Sequence, residues 1–199
     1  MSRVVRILRL LPVLLALVLS AACGDPPDKE LHQAQGAIDA ARAAGADKYA
    51  ADELKAAQDA LDHANAAVGD RDYRLALNYA LDSRERAQNA AKMAADQKAA
   101  TRSEAERLLA EVTSEIAITS AKLHAAESAH QPSAVTAPLA AAIAGARQSI
   151  DEAGKALASQ DYLAAKTHLE GVTAALAAAA QRVPGPEAPL PPRTPRRPR

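Results

Sequence analysis

Small apolar residues recur every three or four positions along most of this chain, and polar residues fill the positions between them. This spacing lines one narrow face of an α-helix, and alanine, the strongest helix former, is abundant. No segment keeps the strict alternation of a half-buried strand. The pattern therefore predicts an all-α fold. The clearest series are Leu54, Ala57, Leu61, Ala64 and Val68; Leu139, Ile143, Ala146, Ile150, Ala153 and Leu157; and Tyr162, Ala165, Leu169, Val172, Leu176 and Ala179.

Glycines, prolines and short Asp-containing segments divide this pattern into five predicted helices. The predicted helices A to E cover residues 28–43, 48–68, 73–129, 137–158 and 162–182. We expect Gly45 to end helix A, Asp47 to cap helix B and Asp72 to cap helix C. Pro138 is expected in the first turn of helix D, where proline is tolerated.

Helix C contains no proline or glycine, and two interpretations of it remain open. One is a single continuous helix, which at 1.5 Å per residue would be on the order of 80 Å long. The other is a break near Thr101 to Ser103, inside the polar stretch 95–107, which would give six helices in a more compact arrangement.

An internal repeat underlies these helices. A shift of 89 residues, without gaps, aligns the Asp72-Tyr73 turn with Asp161-Tyr162. The shift also aligns Leu54 with Ile143, Leu61 with Ile150, Asp62 with Asp151, Val68 with Leu157 and Ala76 with Ala165. The repeat predicts two helical units, residues 28–100 and 101–183, that share helix C in an elongated alanine-rich bundle with disordered termini.

The first 22 residues predict a secretory signal peptide. Arg3, Arg6 and Arg9 precede an apolar run from Leu10 to Leu19, and small residues follow. This order is typical of a cleaved leader, and the run is shorter than the roughly 20 residues that span a bilayer. We expect cleavage before Cys23, which leaves residues 23–27 as a short tether.

The segment Leu19-Ser20-Ala21-Ala22-Cys23 resembles a bacterial lipobox. The resemblance implies that Cys23 becomes the mature N-terminus, with a diacylglycerol on its sulfur and an acyl chain on its amine. Lipidation would also remove the only thiol of the chain from an oxidising compartment. Gly24, by resemblance to lipoproteins of bacteria with two membranes, implies transport to the periplasmic leaflet of the outer membrane. The alternative is an ordinary signal cleavage that leaves Cys23 bare.

The charge of the mature chain argues against nucleic acid as a partner. Removal of residues 1–22 takes away three arginines and no acid, which leaves 21 basic and 24 acidic side chains, a net charge of −3. The tail, residues 184–199, is itself net +3, so the body before it is near −6. Nucleic acid binding requires a basic face.

The proline-rich tail carries the clearest basic cluster, Arg193, Arg196, Arg197 and Arg199. Sequence of this kind favours polyproline II or disordered chain. One interpretation is that these arginines bind phosphates of lipopolysaccharide or acidic wall polymers. The other is a solubilising end without a binding role.

Catalytic and metal-binding patterns are missing from the sequence. Four glutamates lie close in sequence to Arg102 and Arg107, which predicts i,i+4 ion pairs on a solvated face. These glutamates are Glu104, Glu106, Glu111 and Glu115. The five histidines, which lack the spacing of a helical metal pair, are His32, His63, His124, His130 and His168. Phe and Trp are absent, so we expect a thin core and no deep pocket. We therefore expect no enzyme, no cofactor and no metal site.

Residues 48–91 resemble small alanine-rich bacterial lipoproteins built on a helical domain of unknown function. The resemblance is carried by a Leu- and Ala-rich helix, the turn Gly69-Asp70-Arg71-Asp72-Tyr73 and a second alanine-rich helix. Residues 138–180 echo it imperfectly, and the turn alone also resembles tetratricopeptide hairpins. The resemblance implies an envelope location and a helical fold, and it implies no activity.

These features together predict a non-catalytic module, anchored by lipid and facing the periplasm, with a structural or protein-interaction role in the cell envelope. Its expected partners are the membrane, through Cys23, and an envelope protein. Two alternatives stay open: a polyanion-binding module that uses the basic tail, and a coiled-coil subunit of a larger envelope complex.

Overall fold

The chain is helical throughout most of the part that the structure describes. A computed structural model describes residues 25–184, so the leader, Cys23 and the arginine cluster of the tail lie outside this range. The helices are α1 Asp28–Ala43, α2 Ala46–Tyr49, α3 Ala51–Gly69, α4 Tyr73–Ser128, α5 Ser133–Ala158, α6 Tyr162–Leu169 and α7 Val172–Gln181. The predicted all-α fold is confirmed.

The longest helix, α4, is continuous over 56 residues. It corresponds to the first interpretation of helix C, and no break occurs near Thr101. Inside the polar stretch, the Arg102 guanidinium pairs with Glu106 one turn later at 2.8 Å. Such i,i+4 pairs and the high helix propensity of Ala, Lys, Glu and Arg sustain a helix where large apolar residues are missing.

The described residues divide into two compact units, with the boundary between Gln97 and Lys98. Unit 1 packs α1, α3 and the first part of α4 around a seam made mostly of alanine. Ile38, Leu54 and Leu61 are the buried hydrophobic residues of its described part that are larger than alanine. The buried Ser83 hydroxyl on α4 donates to the Ala57 carbonyl on α3 at 2.7 Å, so its polar group is satisfied across the seam.

Unit 2 packs the second part of α4 against α5, α6 and α7, and its core holds larger side chains. Those buried side chains are Val112, Leu139, Ile143, Tyr162, Leu169, Leu176 and Val183. The Lys122 ammonium on α4 donates to the Ala180 carbonyl in the last turn of α7 at 2.5 Å. This contact satisfies a terminal carbonyl and places a positive charge at the negative end of the helix dipole.

The two hairpin turns that the repeat aligns share one set of backbone hydrogen bonds. After α3, the amide of Asp72 donates to the carbonyl of Ala67; after α5, the amide of Asp161 donates to the carbonyl of Ala156, both at 2.9 Å. A second pair of bonds, Arg71 to Val68 and Gln160 to Leu157, completes a Schellman motif in each turn at 3.0 Å. Arg71 and Gln160 therefore both adopt φ of 60°.

The aligned aspartates also cap the helices that follow. Asp72 Oδ1 accepts from the Leu75 amide at 3.0 Å, and Asp161 Oδ1 accepts from the Ala164 amide at 3.3 Å. Side-chain oxygens of Asp satisfy free amides in the first turn of a helix. The predicted cap at Asp72 is thus confirmed.

The predicted cap at Asp47 is wrong. Gly45 ends α1 as expected, with φ of 92°, but it also occupies the N-cap position of the short helix α2. Asp47 consequently lies inside the first turn of α2 instead of before it. Helix B is also interrupted, because Ala50 leaves helical geometry at φ −149° and separates α2 from α3.

The predicted beginning of helix D is also wrong. The helix α5 begins at Ser133, because the Pro132 carbonyl accepts from the amides of Val135 and Thr136. Pro138 is therefore the sixth residue of α5 instead of lying in its first turn. Having no N–H, it cannot donate to the carbonyl of Ala134, which is an exposed residue.

Helix E is divided into α6 and α7, where a single helix over residues 162–182 was expected. Glu170 is extended, with ψ of 131°, and Gly171 has φ of 77°. That positive φ is readily reached by glycine, which has no Cβ. The chain therefore forms two shorter helices at this break, and Leu169 and Leu176 are both buried.

None of the described helices combines the length and the apolar composition that a transmembrane helix requires.

Glycine in place of Arg71 or Gln160 is expected to stabilise the protein. Both residues hold a left-handed conformation, which costs an L-residue roughly 1–2 kcal/mol and costs glycine little. After the greater entropy loss of glycine on folding, we expect each substitution to raise the free energy of unfolding by about 0.5–1 kcal/mol. Urea unfolding followed by circular dichroism measures this change. Gln88→Gly, at an exposed helical position, is the control and should lower it by about 1 kcal/mol.

Exchange of aligned core residues between the units is expected to destabilise both units. The repeat aligns Ala80 with Leu169, and both are fully buried. Leu169→Ala should leave a cavity and cost about 2–5 kcal/mol, whereas Ala80→Leu should overpack the alanine seam and cost about 1–3 kcal/mol. The same urea experiment tests both variants. A neutral Ala80→Leu would show that the seam of unit 1 has room for larger side chains, contrary to the packing described above.

Candidate functional site

The sites that the sequence predicts lie outside the described residues. Cys23 precedes them, and Arg193, Arg196, Arg197 and Arg199 follow them. The structure therefore bears on these sites only through the described residues that come next to them along the chain.

The described chain nearest to Cys23 is fixed to unit 1. The Pro26 carbonyl accepts from the Asp28 amide at 2.9 Å, and the Pro27 carbonyl accepts from the Leu31 amide at 3.0 Å. Pro27 is also buried. Ordered contacts with the bundle thus begin three residues after Cys23 in the sequence.

An open groove runs along unit 1 between α1 and α3. Two adjoining cavities, of about 270 and 320 Å³, share Gln35 and Leu61. Ion pairs between Arg42 and Asp39 and between Lys55 and Asp59 neutralise charge near one end. The other lining residues are Asp28, Leu31, His32, Ile38, Gln58, Asp62 and Asn65. A small-molecule site normally encloses most of its ligand, and this groove is too open to do so.

One pair of aligned positions carries a cross-helix contact in both units, with different chemistry. In unit 1, the ring of His63 on α3 lies 5.3 Å from the ring of Tyr79 on α4. The shift of 89 residues places Glu152 and His168 at these positions, and in unit 2 their side chains approach to 3.1 Å. The helix pairing is thus repeated, while an aromatic contact in one unit is replaced by a polar one in the other.

A polar cluster in unit 2 joins the beginning of α6 to α4. The charged groups of Lys98 and Arg102 each lie 5.9 Å from the centre of the Tyr162 ring, within reach of a cation–π interaction. The Lys166 ammonium donates to Glu104 at 3.0 Å. This hydrogen bond, together with the charge of Glu104, raises the pKa of Lys166. Because the pKa is higher in the folded chain, the charge of Lys166 stabilises unit 2 at neutral pH, and this contribution is lost as the pH rises through the raised pKa.

The acidic face of α4 forms the ion pairs that the sequence predicts. Arg102 pairs with Glu106 at 2.8 Å, and Arg107 pairs with Glu111. Among residues 25–184, no three or more His, Cys, Asp or Glu side chains come together in a way that could hold a metal ion. His124 contacts Glu127 on its own helix, and His168 contacts Glu152.

Sequence reasoning missed the cross-helix contacts of this face. The sequence pattern predicts a solvated i,i+4 network for Glu104, yet Glu104 pairs with Lys166, 62 residues away. The available signal was the repeat itself. The aligned position in unit 1 is Leu77, and a change from Leu to Lys at one position of a repeat indicates a different neighbour.

Comparison with known proteins adds one finding. No curated protein and no solved structure gives a significant match to the chain. The family model described as "Domain of unknown function (DUF4398)" matches residues 29–108. That segment covers the helices of unit 1 and the first residues that α4 contributes to unit 2. The chain thus contains a DUF4398 domain, whose function is unknown.

Proposed function

We propose that this protein is a lipid-anchored, non-catalytic helical module of the bacterial cell envelope, with a structural or protein-interaction role. The observation that carries the proposal is the order of residues 1–23: three arginines, an apolar run, small residues and then the single cysteine. In the proposed mature protein, Cys23 is the first residue and carries the lipid.

The energetics of lipid anchoring favour this arrangement. Each buried CH₂ contributes about 0.8 kcal/mol, so one acyl chain binds a membrane reversibly and two or three hold it stably. The bundle begins only three residues later, at Pro26, which would keep unit 1 close to the membrane. Because Gly24 follows Cys23, we propose the periplasmic leaflet of the outer membrane as the location.

The described surface supports a role in binding proteins rather than small molecules. The groove between α1 and α3 is long, open and lined by mixed polar and apolar side chains. Extended helical surfaces of this kind suit contact with another polypeptide. We therefore propose an envelope protein as the second partner.

A second candidate function is polyanion binding by the tail, and the separation of charge along the chain favours it. Residues 184–199 are net +3, while residues 25–183 are near −6. Arginines spaced by prolines would present their guanidinium groups to phosphates of lipopolysaccharide or to acidic wall polymers.

Truncation after Pro184 is expected to abolish salt-sensitive retention on purified lipopolysaccharide or cell wall. Pro184 is kept because its carbonyl accepts from the Gln131 amide group at 3.4 Å. Retention of the full chain should fall as salt screens the arginines. The control replaces the same four arginines with glutamine and should behave like the truncation. Equal retention of all three proteins would eliminate the tail as a binding element.

Replacement of the anchoring residue, Cys23→Ser, is expected to move the protein from the membrane fraction to the soluble envelope fraction. The native chain should need detergent for its release, and its N-terminal peptide should have the mass of a lipidated cysteine. Intact mass spectrometry and cell fractionation measure both properties.

The matched control is Ser20→Ala, which changes a small residue of the same segment and should leave lipidation intact. A bare thiol at Cys23 in the native protein, or recovery of that protein in the cytosol, would refute the proposed function.

A further inference from the structure

One side of α4 in unit 1 carries apolar residues, whereas the aligned positions in unit 2 are largely polar. Tyr73, Leu77 and Leu81 follow one another at four-residue intervals, so they share a side of the helix. Leu81 is 38% exposed, and Tyr73 and Leu77 are half-buried. We call these three residues the α4 flank.

The aligned residues of unit 2 are largely polar, and the first two of them pack against a neighbouring helix. The shift of 89 residues places Tyr162, Lys166 and Glu170 at the flank positions. Lys98 and Arg102 of α4 lie over the Tyr162 ring, and Lys166 pairs with Glu104 of the same helix. In unit 2, this side therefore faces the third helix of the bundle and is matched to it by charge.

In unit 1, the helix that packs beside α4 is α1, and it begins too far along α4 to cover Tyr73 and Leu77. The helix α1 runs antiparallel to α3, because Asp28 lies near Asn65 and Arg42 lies near Lys55. It therefore runs parallel to α4, which follows α3 through a tight turn.

The contact between α1 and α4 fixes their relative position along the bundle. Arg84, on the flank side of α4, donates to Gln33 of α1 at 2.7 Å. Asp28 begins α1 five residues before Gln33, which at 1.5 Å per residue places it level with about Tyr79. Leu77 and Tyr73 consequently lie beyond the beginning of α1, by about half a turn and nearly two turns.

The proposed lipid anchor lies next to this uncovered end of the bundle. Two residues, Gly24 and Asp25, separate Cys23 from Pro26, so the chain between them reaches at most about 11 Å. A bilayer that holds acyl chains on Cys23 therefore lies at the end of unit 1 where the flank is uncovered.

The chemistry of this end also fits a membrane interface. Tyr and Leu side chains, with Arg71 and Arg74 beside them, are the residue types that lie at the boundary between headgroups and acyl chains. Electrostatic attraction cannot be the driving force, because residues 25–97 carry 14 acidic and 9 basic side chains and Asp70 and Asp72 lie in the same turn.

We propose that the α4 flank is a membrane-contact surface, which rests unit 1 on the bilayer that holds Cys23. This inference rests on the proposed lipid anchor. The contact is apolar, and it therefore forms on zwitterionic and on anionic bilayers alike.

Site-specific photo-crosslinking in intact cells tests the inference. A photoreactive amino acid replaces Leu77 in the full chain, and the matched control places it at Met93. Met93 is 46% exposed on the same helix and is aligned with Arg182, outside the flank. We expect adducts with the mass of a phospholipid at Leu77, at several times the yield found at Met93. Circular dichroism of both purified variants confirms that the helical fold is kept.

Intact mass spectrometry of the same samples separates failure of the inference from failure of the anchor. If Cys23 carries lipid and the adduct at Leu77 is a protein, or no adduct forms, the flank is not a membrane-contact surface and the proposed function stands. If Cys23 carries no lipid, both proposals fall. In the Cys23→Ser variant, the phospholipid adduct should disappear, because three side chains alone are too few to hold the protein on a bilayer.

Discussion

The close approach of helices along alanine seams is the constraint on which the rest of this fold depends. A buried alanine offers one methyl group, and burial contributes about 0.8 kcal/mol per CH₂, so no single alanine of unit 1 dominates its stability. The Ser83 hydroxyl reaches the main chain of the next helix at 2.7 Å, which is possible only where no larger side chain holds the helices apart. Stability then depends on many small contacts kept in register over long helices.

Register in turn depends on the hairpin turns, because their polar contacts are more specific than the packing of one alanine against another. The same Schellman bonds and the same aspartate cap occur after α3 and after α5. A seam of identical methyl groups resists sliding weakly, because a slip by one turn replaces alanine with alanine. The turns therefore fix the register of the paired helices. The aligned buried residues Leu169 and Ala80 differ in size, so the helix spacing differs between the two seams.

Much of the fold could be predicted because its signals are local. Gly45 and the two Asp-Tyr turns mark helix ends through their own backbone chemistry. The interruption at Gly171 was missed because a glycine costs only about 1 kcal/mol inside a helix and does not by itself end one. The break at Ala50 has no local signal at all. The pairing of Glu104 with Lys166 was also beyond prediction, because it depends on which helix covers which.

The two units share one hairpin backbone and differ in the helix that packs beside it. In unit 2, α4 extends past the hairpin turn and covers Tyr162 and Lys166. In unit 1, α1 begins at Asp28, so an equivalent helix extension would have to occupy the residues of the proposed anchor. Lipid attachment and helical cover thus compete for one stretch of chain. Under the proposed arrangement, this stretch serves the anchor, α1 begins beyond Tyr73 and Leu77, and the membrane takes the place that a helix has in unit 2.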